Sequence, residues 1–314
     1  MNKVKDALLG LAVGDALGVP VEFMSRAVLQ SDPVTGMREY GSHHQPAGTW
    51  SDDSSLTFCL ADSLISGYDL KDIAGKFIQW RDQAYWTAHE RVFDIGMTTQ
   101  SSINRLKRGI RPDLAGGMYE DENGNGSLMR ILPLAFYLKN QPDEERQFEL
   151  IREVSSLTHA HIRSVIACKI FMDYALALLA GNSKVKAYEL TCEKAKAFVE
   201  RRGIVAKEVS IFSKVLDGKL ADKPIQEISG SGYVVHTLEA SLWCLLTTSS
   251  YKEAVLKAVN LGDDTDTTGA VTGGLAGILY GLDQIPLAWR EALAKKEEII
   301  ALANKLNKAT DKEV

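Results

Sequence analysis

The sequence predicts an all-α protein that folds as one compact domain of many helices. Apolar residues recur at helical spacing along most of the 314 residues, whereas no alternating run of Val, Ile and Thr exceeds about four residues. The composition, 45% hydrophobic and 25% charged, is that of an ordinary globular protein. We expect a single domain over residues 1–306 and a short frayed tail over 307–314.

Helices are expected in chain order wherever apolar residues repeat every three or four positions. The first begins near Val4 and ends around Gly18, before Pro20. Residues 31–49 are rich in Gly, Pro, Ser and His and predict a long surface loop, after which a second helix begins at Ser51. Further helices are predicted over 71–84, 96–107, 127–139, 144–156, 160–180, 184–201, 205–216, 235–247, 251–259 and 286–306.

The segment Leu261–Gly281 predicts a helix with an acidic start and an uncharged body. Asp and Thr are favoured at helix N-termini, both as caps and by the helix macrodipole. A glycine stripe costs about 0.8–1 kcal/mol per residue in helix propensity, so it is expected where another helix lies very close. A membrane helix is the alternative, but the uncharged stretch 267–282 is shorter than the roughly twenty residues that a span needs. The stripe consists of Gly269, Gly273, Gly277 and Gly281.

The first helix shares this pattern, because Gly10, Gly14 and Gly18 also permit a close approach. Asp15 lies in line with its apolar face. A carboxylate at such a position is costly to bury unless it is paired or bound. We therefore expect Asp15 to have a partner.

Charge and cysteine content narrow the functional classes. The net charge of −5 gives no electrostatic reason to expect a nucleic-acid partner, although a local pocket can still bind an anion. The four cysteines form no close pair, which favours reduced, buried thiols over disulfides. No signal-peptide cleavage site follows the N-terminus. We expect a cytoplasmic protein without a membrane partner, and the oligomeric state stays open.

Two of the expected helix starts have matching compositions of adjacent aspartates beside a hydroxyl group. If they meet in space, their carboxylates repel one another unless protons or cations are taken up. The donors are oxygens only, which suits Mg²⁺, Mn²⁺ or Ca²⁺ better than zinc, and four carboxylates can balance two such cations. The alternative is that each group only caps its own helix. The candidate ligands are Ser51, Asp52, Asp53, Asp264, Asp266 and Thr267.

Three further motifs have the chemistry of a binding site. The segment Glu122–Arg130 is a Gly/Asn turn entering a helix, whose amides could hold a phosphate; a plain surface loop is the alternative. Two imidazoles, His159 and His161, diverge on a helix, so a shared metal is not expected, and His159 either touches a ligand or is structural. Asp94 precedes a predicted helix start, where it either faces a ligand or acts as the N-cap.

Five motifs in this order resemble those of the ADP-ribosylglycohydrolase family. Together they extend from residue 10 to about 281, which is most of the chain. The family usually has Thr where this chain has Ser51 and Ser54, and serine keeps the hydroxyl donor. The motifs are Gly14–Gly18 followed by Pro20 and Glu22, Gly48–Ser54, Gly124–Arg130, Thr158–His159 and Gly262–Thr267.

The resemblance implies a compact all-α fold and a centre of two divalent cations, Mg²⁺ or Mn²⁺. It also implies hydrolysis of the N- or O-glycosidic bond between ADP-ribose and an acceptor, on a protein or a small molecule. The metal ligands that it implies are the six candidate ligands named above, with Glu22 as the acidic residue beside the metals.

Substrate contacts are implied by the same resemblance. Asn125, Gly126 and Ser127 match a loop around the ADP-ribose, and His159 matches a residue near its phosphates. Asp94 and Gly96 match the loop beside the distal ribose. Because a carboxylate there meets the guanidinium in arginine-specific members, Asp94 favours ADP-ribosyl-arginine as the substrate.

A mechanism follows from these assignments. Departure of the acceptor builds oxocarbenium-like charge on the anomeric carbon, where a water attacks. Glu22, or one of Asp52 and Asp53, would take the proton from that water, and Asp94 would hold the acceptor's guanidinium through charge-assisted hydrogen bonds. Two alternatives stay open: a metal-dependent phosphohydrolase, and a non-catalytic ADP-ribose-binding protein of the same fold.

Overall fold

Helices make up nearly all the regular structure in residues 2–311, the part of the chain that the computed structural model describes. Within that part, two isolated backbone bridges are the only β-type pairings, and no helix is both long and apolar enough to cross a membrane. The all-α prediction is confirmed. The helices are α1 (Lys3–Gly18), α2 (Arg26–Ser31), α3 (Asp52–Leu64), α4 (Leu70–Gln83), α5 (Met97–Lys107), α6 (Pro133–Leu138), α7 (Glu144–Ser156), α8 (Ile162–Leu179), α9 (Lys184–Arg201), α10 (Ala206–Ile211), α11 (Ser213–Leu216), α12 (Val234–Leu246), α13 (Tyr251–Val259), α14 (Thr265–Tyr280), α15 (Leu287–Ala292) and α16 (Lys296–Thr310).

Two of the predicted helices are interrupted. The helix predicted over 205–216 breaks at Phe212 into α10 and α11. The helix predicted over 286–306 is interrupted between α15 and α16, where the loop before α3 forms hydrogen bonds with the backbone of the connecting residues. The Trp50 indole donates to the Ala294 carbonyl at 3.0 Å, and the Ala294 amide donates to the Gly48 carbonyl at 3.0 Å.

Other helix ends also differ from the prediction. The helix predicted over 127–139 is wrong in its first half, since residues 127–132 do not form a helix and contain mostly turns. Only α6, in the second half of this range, is helical. Helix α16 continues past the predicted end at 306, because Thr310 is buried and its carbonyl accepts from the Asn140 side chain at 2.9 Å. Of the predicted tail, residues 312–314 lie outside the described residues. Helix α2 lies in a stretch for which no helix was predicted.

Helices α1 and α14 pack antiparallel at backbone contact. A Cβ added at Gly14 would lie 2.1 Å from the Gly269 carbonyl oxygen, and one added at Gly273 would lie 2.3 Å from that of Gly10. Real Cβ atoms do not come this close to another atom, so the predicted close approach is confirmed. Gly281 is not part of it, because it ends α14 in the left-handed region with φ 83°.

This contact fixes where the functional segments lie. At the far end of the pair, a Cβ added at Gly18 would lie 2.3 Å from the Asp266 Cα. The C-terminal end of α1 therefore lies beside the acidic N-terminal end of α14. Glu22, four residues beyond α1, is brought to the same place.

We expect Gly14→Ala to lower the free energy of unfolding by at least about 1–3 kcal/mol, the usual cost of overpacking, because α1 and α14 must separate to admit the methyl group. The matched control is Gly75→Ala in α4, where an added Cβ meets nothing within 4 Å. There alanine should leave stability unchanged or raise it by up to about 1 kcal/mol. Urea unfolding measures both, and equal effects would show that the fold does not depend on the close contact.

Candidate active site

The carboxylate of Asp15 joins α1 to the start of α3. It is fully buried and accepts from the backbone amides of Ser51 at 2.9 Å and Ser54 at 3.0 Å, and from the Ser54 hydroxyl. Burial raises the pKa of Asp15 to about 7, and these hydrogen bonds oppose that shift. Asp15 thus has the expected partner, and it holds the first turn of α3 against α1.

The acidic starts of α3 and α14 meet. The Thr267 hydroxyl of α14 donates to Asp53 Oδ2 of α3 at 3.3 Å, and the Ser51 hydroxyl donates to the same oxygen at 3.0 Å. Asp53 and Asp266 are both buried, with 1% and 0% of their surface exposed. Two segments more than two hundred residues apart in sequence therefore share one small volume.

Several carboxylate oxygens in this volume have no hydrogen-bond donor among residues 2–311. They are Asp53 Oδ1, Asp264 Oδ1 and Asp266 Oδ2. Burial, followed by repulsion from neighbouring carboxylates, raises the pKa of Asp52, Asp53 and Asp266 well above the ordinary value. A buried carboxylate needs a proton or a cation to compensate its lost hydration.

The donor set suits a divalent cation. Carboxylate oxygens of Glu22, Asp264 and Asp266 lie within 4.8 Å of one another, which is close enough for one ion to touch all three. Oxygen donors of this kind are preferred by Mg²⁺ and Mn²⁺. The residues present therefore fit a hard divalent cation, the class of metal that the sequence led us to expect.

Glu22 has a partner that the sequence analysis missed, His43. The His43 Nε2 atom hydrogen-bonds to a Glu22 carboxylate oxygen, and the Ser42 hydroxyl donates to the Glu22 carbonyl at 2.6 Å. Burial raises the pKa of Glu22 to about 8, with Asp94 adding to the shift and His43 opposing it. The predicted surface loop thus folds back onto the site. The only indication in the sequence was the pair of adjacent histidines in it.

A cavity of about 390 Å³ opens above these acids. Ser51, Asp53 and Asp266 are buried and are not part of its lining, although they contact or adjoin residues that are. The predicted site residues that do line it are Glu22, Asp52, Asp94, Gly96, Asn125, Gly126, His159, Asp264 and Thr267.

Ser127, another predicted site residue, does not line the cavity. Its side chain is completely buried, and its hydroxyl oxygen lies 3.0 Å from Ser155 Oγ and 3.5 Å from Cys168 Sγ. The Ser127 side chain therefore contacts the protein core and not the cavity. All four cysteines, including Cys168, are free and buried, as predicted.

The Gly/Asn loop forms part of the cavity wall, and one of its backbone amides is already engaged within the protein. The backbone N–H of Asn125 donates to the Gly232 carbonyl at 3.0 Å, while the side-chain amide of Asn125 donates to Asp264 Oδ2 at 2.8 Å. Gly126 leaves room for an imidazole, since an added Cβ would lie 2.7 Å from His159 Cε1. The loop thus orients the Asp264 carboxylate and leaves space for the His159 ring.

Asp94 faces the same group of acids from the other side. It precedes α5 with a left-handed φ of 52°, but Gly96 occupies the N-cap position, so the capping alternative for Asp94 is wrong. One Asp94 oxygen lies within 4.8 Å of ligand atoms of both Glu22 and His43. Burial raises the pKa of Asp94, and the charge of His43 opposes that shift.

His159 and His161 diverge as expected. His159 lines the cavity with 2% of its surface exposed, whereas His161 caps α8, its Nδ1 accepting from the Arg163 amide at 3.2 Å. Burial, and then the nearby charge of Arg130, lowers the pKa of His159 to about 3. His159 is therefore neutral at physiological pH.

Comparison with known proteins identifies the family of this chain. The family model for ADP-ribosylglycohydrolase matches residues 1–313. A relative from Serratia proteamaculans, named ADP-ribosylarginine hydrolase Tri1, is 33% identical over 98% of this chain and 79% of its own length. The ADP-ribosyl-[dinitrogen reductase] glycohydrolase of Rhodospirillum rubrum is 30% identical over 95% of this chain and 92% of its own.

A solved structure is similar over the same extent. It is titled ADP-ribosylglycohydrolase-related protein complex, superimposes with a TM-score of 0.82, and is 33% identical over 98% of both chains. The family model and the relatives each cover nearly the whole chain. This chain therefore belongs to the ADP-ribosylglycohydrolase family.

Proposed function

We propose that this chain is a metal-dependent hydrolase that releases ADP-ribose from an acceptor, with ADP-ribosyl-arginine on a protein as its substrate. The observation that carries the proposal is the group of buried carboxylates at the floor of a cavity, some of whose oxygens have no donor among residues 2–311. Two relatives bear names for hydrolysis at arginine-linked ADP-ribose. The free, buried cysteines support a reducing compartment such as the cytoplasm.

Two divalent cations, Mg²⁺ or Mn²⁺, would be held at the starts of α3 and α14. The carboxylate oxygens that lack a donor in the described part of the chain support this, because each would otherwise be buried without compensation. When bound, the cations neutralise the carboxylates, orient ribose hydroxyls and lower the pKa of a water. The residues proposed to hold them are Ser51, Asp52, Asp53, Asp264, Asp266 and Thr267.

The chain's own acids then provide the proton transfer. Glu22 lies in the cavity wall, where it can take a proton from the attacking water, and His43 fixes the orientation of its carboxylate. Asp52 lines the same wall and is the alternative base. Positive charge develops on the anomeric carbon, so these carboxylates would also favour the transition state electrostatically.

Acceptor and diphosphate would lie at different parts of the cavity. Asp94 is proposed to hold the guanidinium of the acceptor by paired hydrogen bonds. Among the described residues that line the cavity there is no Lys or Arg, so an anion must be bound by neutral N–H donors. His159, the Gly126 backbone amide and the uncapped first turn of α5, which begins at Met97, are donors available there.

The direct test is release of ADP-ribose from an arginine-linked peptide, with Mg²⁺, Mn²⁺ or EDTA. The wild-type protein should release ADP-ribose only with metal, and Asp52→Ala should lose at least about 100-fold in kcat/KM while keeping the helical fold. Asp263→Asn is the matched control, because Asp263 is exposed, does not line the cavity and adopts a left-handed φ that Asn tolerates.

The products separate the alternatives. Release of phosphate in place of ADP-ribose would identify a phosphohydrolase, and binding of ADP-ribose without turnover in either metal would identify a binding protein. Asp52→Ala turning over at the wild-type rate would contradict the metal-centred mechanism.

Asp94→Asn tests the acceptor assignment. Losing a charged partner of a guanidinium typically costs about 1.5–3 kcal/mol, so kcat/KM for arginine-linked ADP-ribose should fall about 10- to 150-fold. Serine-linked ADP-ribose has no guanidinium, and any turnover of it should be unaffected. Equal losses on both substrates would assign Asp94 to the ribose and not to the acceptor.

A further inference from the structure

Arg130 is a buried cation without a carboxylate partner among the described residues. It is 0% exposed, and its guanidinium lies 4.7 Å from the centroid of the Phe77 ring. Its Nη2 donates to the Val154 carbonyl at 3.1 Å and to Thr158 Oγ1 at 2.8 Å, while Nε and Nη1 have no partner in residues 2–311. A buried, unpaired charge destabilises a protein, so stability does not explain this residue.

The hydrogen bond to Thr158 has a fixed direction. An arginine can only donate, so Thr158 Oγ1 is the acceptor. The hydroxyl keeps one proton to donate, and His159 Nδ1 lies 2.8 Å away. Among the described residues no other acceptor lies within hydrogen-bond distance of this hydroxyl, so His159 Nδ1 accepts its proton, and the neutral imidazole carries its own proton on Nε2.

His159 is also held in place by its backbone. Its amide donates to the Ser155 carbonyl at 2.8 Å, and the Ser155 hydroxyl donates to the His159 carbonyl at 2.8 Å. The Nε2 edge of the ring faces the Gly/Asn loop, since a Cβ added at Gly126 would lie 3.4 Å from Nε2. The proton on Nε2 is thus presented at the cavity wall.

We propose that Arg130 is a positioning residue: through the Thr158 hydroxyl it fixes His159 as a neutral imidazole whose Nε2–H donates into the cavity, to the diphosphate of ADP-ribose. The identity of that ligand rests on the proposed function, but the direction of the hydrogen bonds does not.

The arrangement suits an acidic cavity. A lysine or arginine side chain in the wall would pair with Glu22, Asp94 or Asp264 and compete with metal ions for them. A neutral N–H donor binds an anion without neutralising those acids. The charge of Arg130 lies behind it, out of reach of the carboxylates, and opposes conversion of His159 to an imidazolium.

The test begins without substrate, by long-range ¹H–¹⁵N NMR of protein labelled at its six histidines, with His159→Asn to assign the His159 resonances. Wild-type His159 should show the Nε2–H tautomer from about pH 5.5 to 8. Thr158→Val, nearly isosteric but without a proton to donate, should change that tautomer, and Thr158→Ser should keep it. Arg130→Met should give a mixture, because without the Arg130 donor the threonine hydroxyl is free to rotate its proton away from Nδ1.

Binding is measured with ADP-ribose in Mg²⁺. Thr158→Val and Arg130→Met should weaken it at least about tenfold, Thr158→Ser should bind as wild type does, and melting should show that Arg130→Met is no less stable than wild type, since it removes an unpaired buried charge. If Arg130→Met does not fold, Thr158→Val and Thr158→Ser still decide the matter.

Three results would overturn the proposal. The first is a wild-type His159 with its proton on Nδ1 or doubly protonated at pH 7. The others are a folded Thr158→Val that binds ADP-ribose as tightly as wild type does, and a folded Arg130→Met that keeps the wild-type tautomer and affinity. A wild-type protein with the Nε2–H tautomer that changes in Thr158→Val, but no affinity for ADP-ribose, would contradict the proposed function and support the positioning by Arg130.

Discussion

The backbone contact between α1 and α14 is the constraint on which the rest of the molecule depends. Glycines on both helices remove the side chains between them, so the two backbones come into contact. The helices run antiparallel, with Gly14 against Gly269. That direction brings the end of α1 to the start of α14. Asp15, on α1, then binds the first turn of α3 and places it beside Thr267. The helix contact contributes no catalytic group itself, but it brings the acidic residues of α3 and α14 together.

Electrostatics explains why such an assembly needs a ligand. Each helix N-terminus favours a nearby carboxylate by about 0.3–1 kcal/mol, or about 2 kcal/mol where partly buried. Burial of one ionised carboxylate costs several kcal/mol even after relaxation, and Asp53 and Asp266 are both almost completely buried. The helix termini therefore do not compensate the charge, and neither does an ion pair, because His43 is the only basic partner of this group in residues 2–311. Divalent cations bound between these carboxylates would compensate their charge.

The sequence predicted those features that depend on local pattern. Helical periodicity gave α7, α9 and α13 with the residue bounds that the structure has, and the glycine stripe correctly implied a close neighbour. The acidic starts of α3 and α14 were recognisable because capping preferences are local. Features that depend on contacts between distant segments were missed or wrong. His43 reaches Glu22 only because its loop folds back, Ser127 faces the core, and Arg130 has a role only beside Thr158.

The central claim is that the starts of α3 and α14 jointly hold divalent cations at the floor of the cavity. Anomalous diffraction from crystals of the Mn²⁺-loaded protein tests it most directly, because manganese scatters anomalously and carboxylates do not. The account predicts two manganese peaks between Asp52 and Asp266, within coordination distance of their oxygens. Manganese bound only elsewhere, or no peak at this place at saturating Mn²⁺, would contradict it.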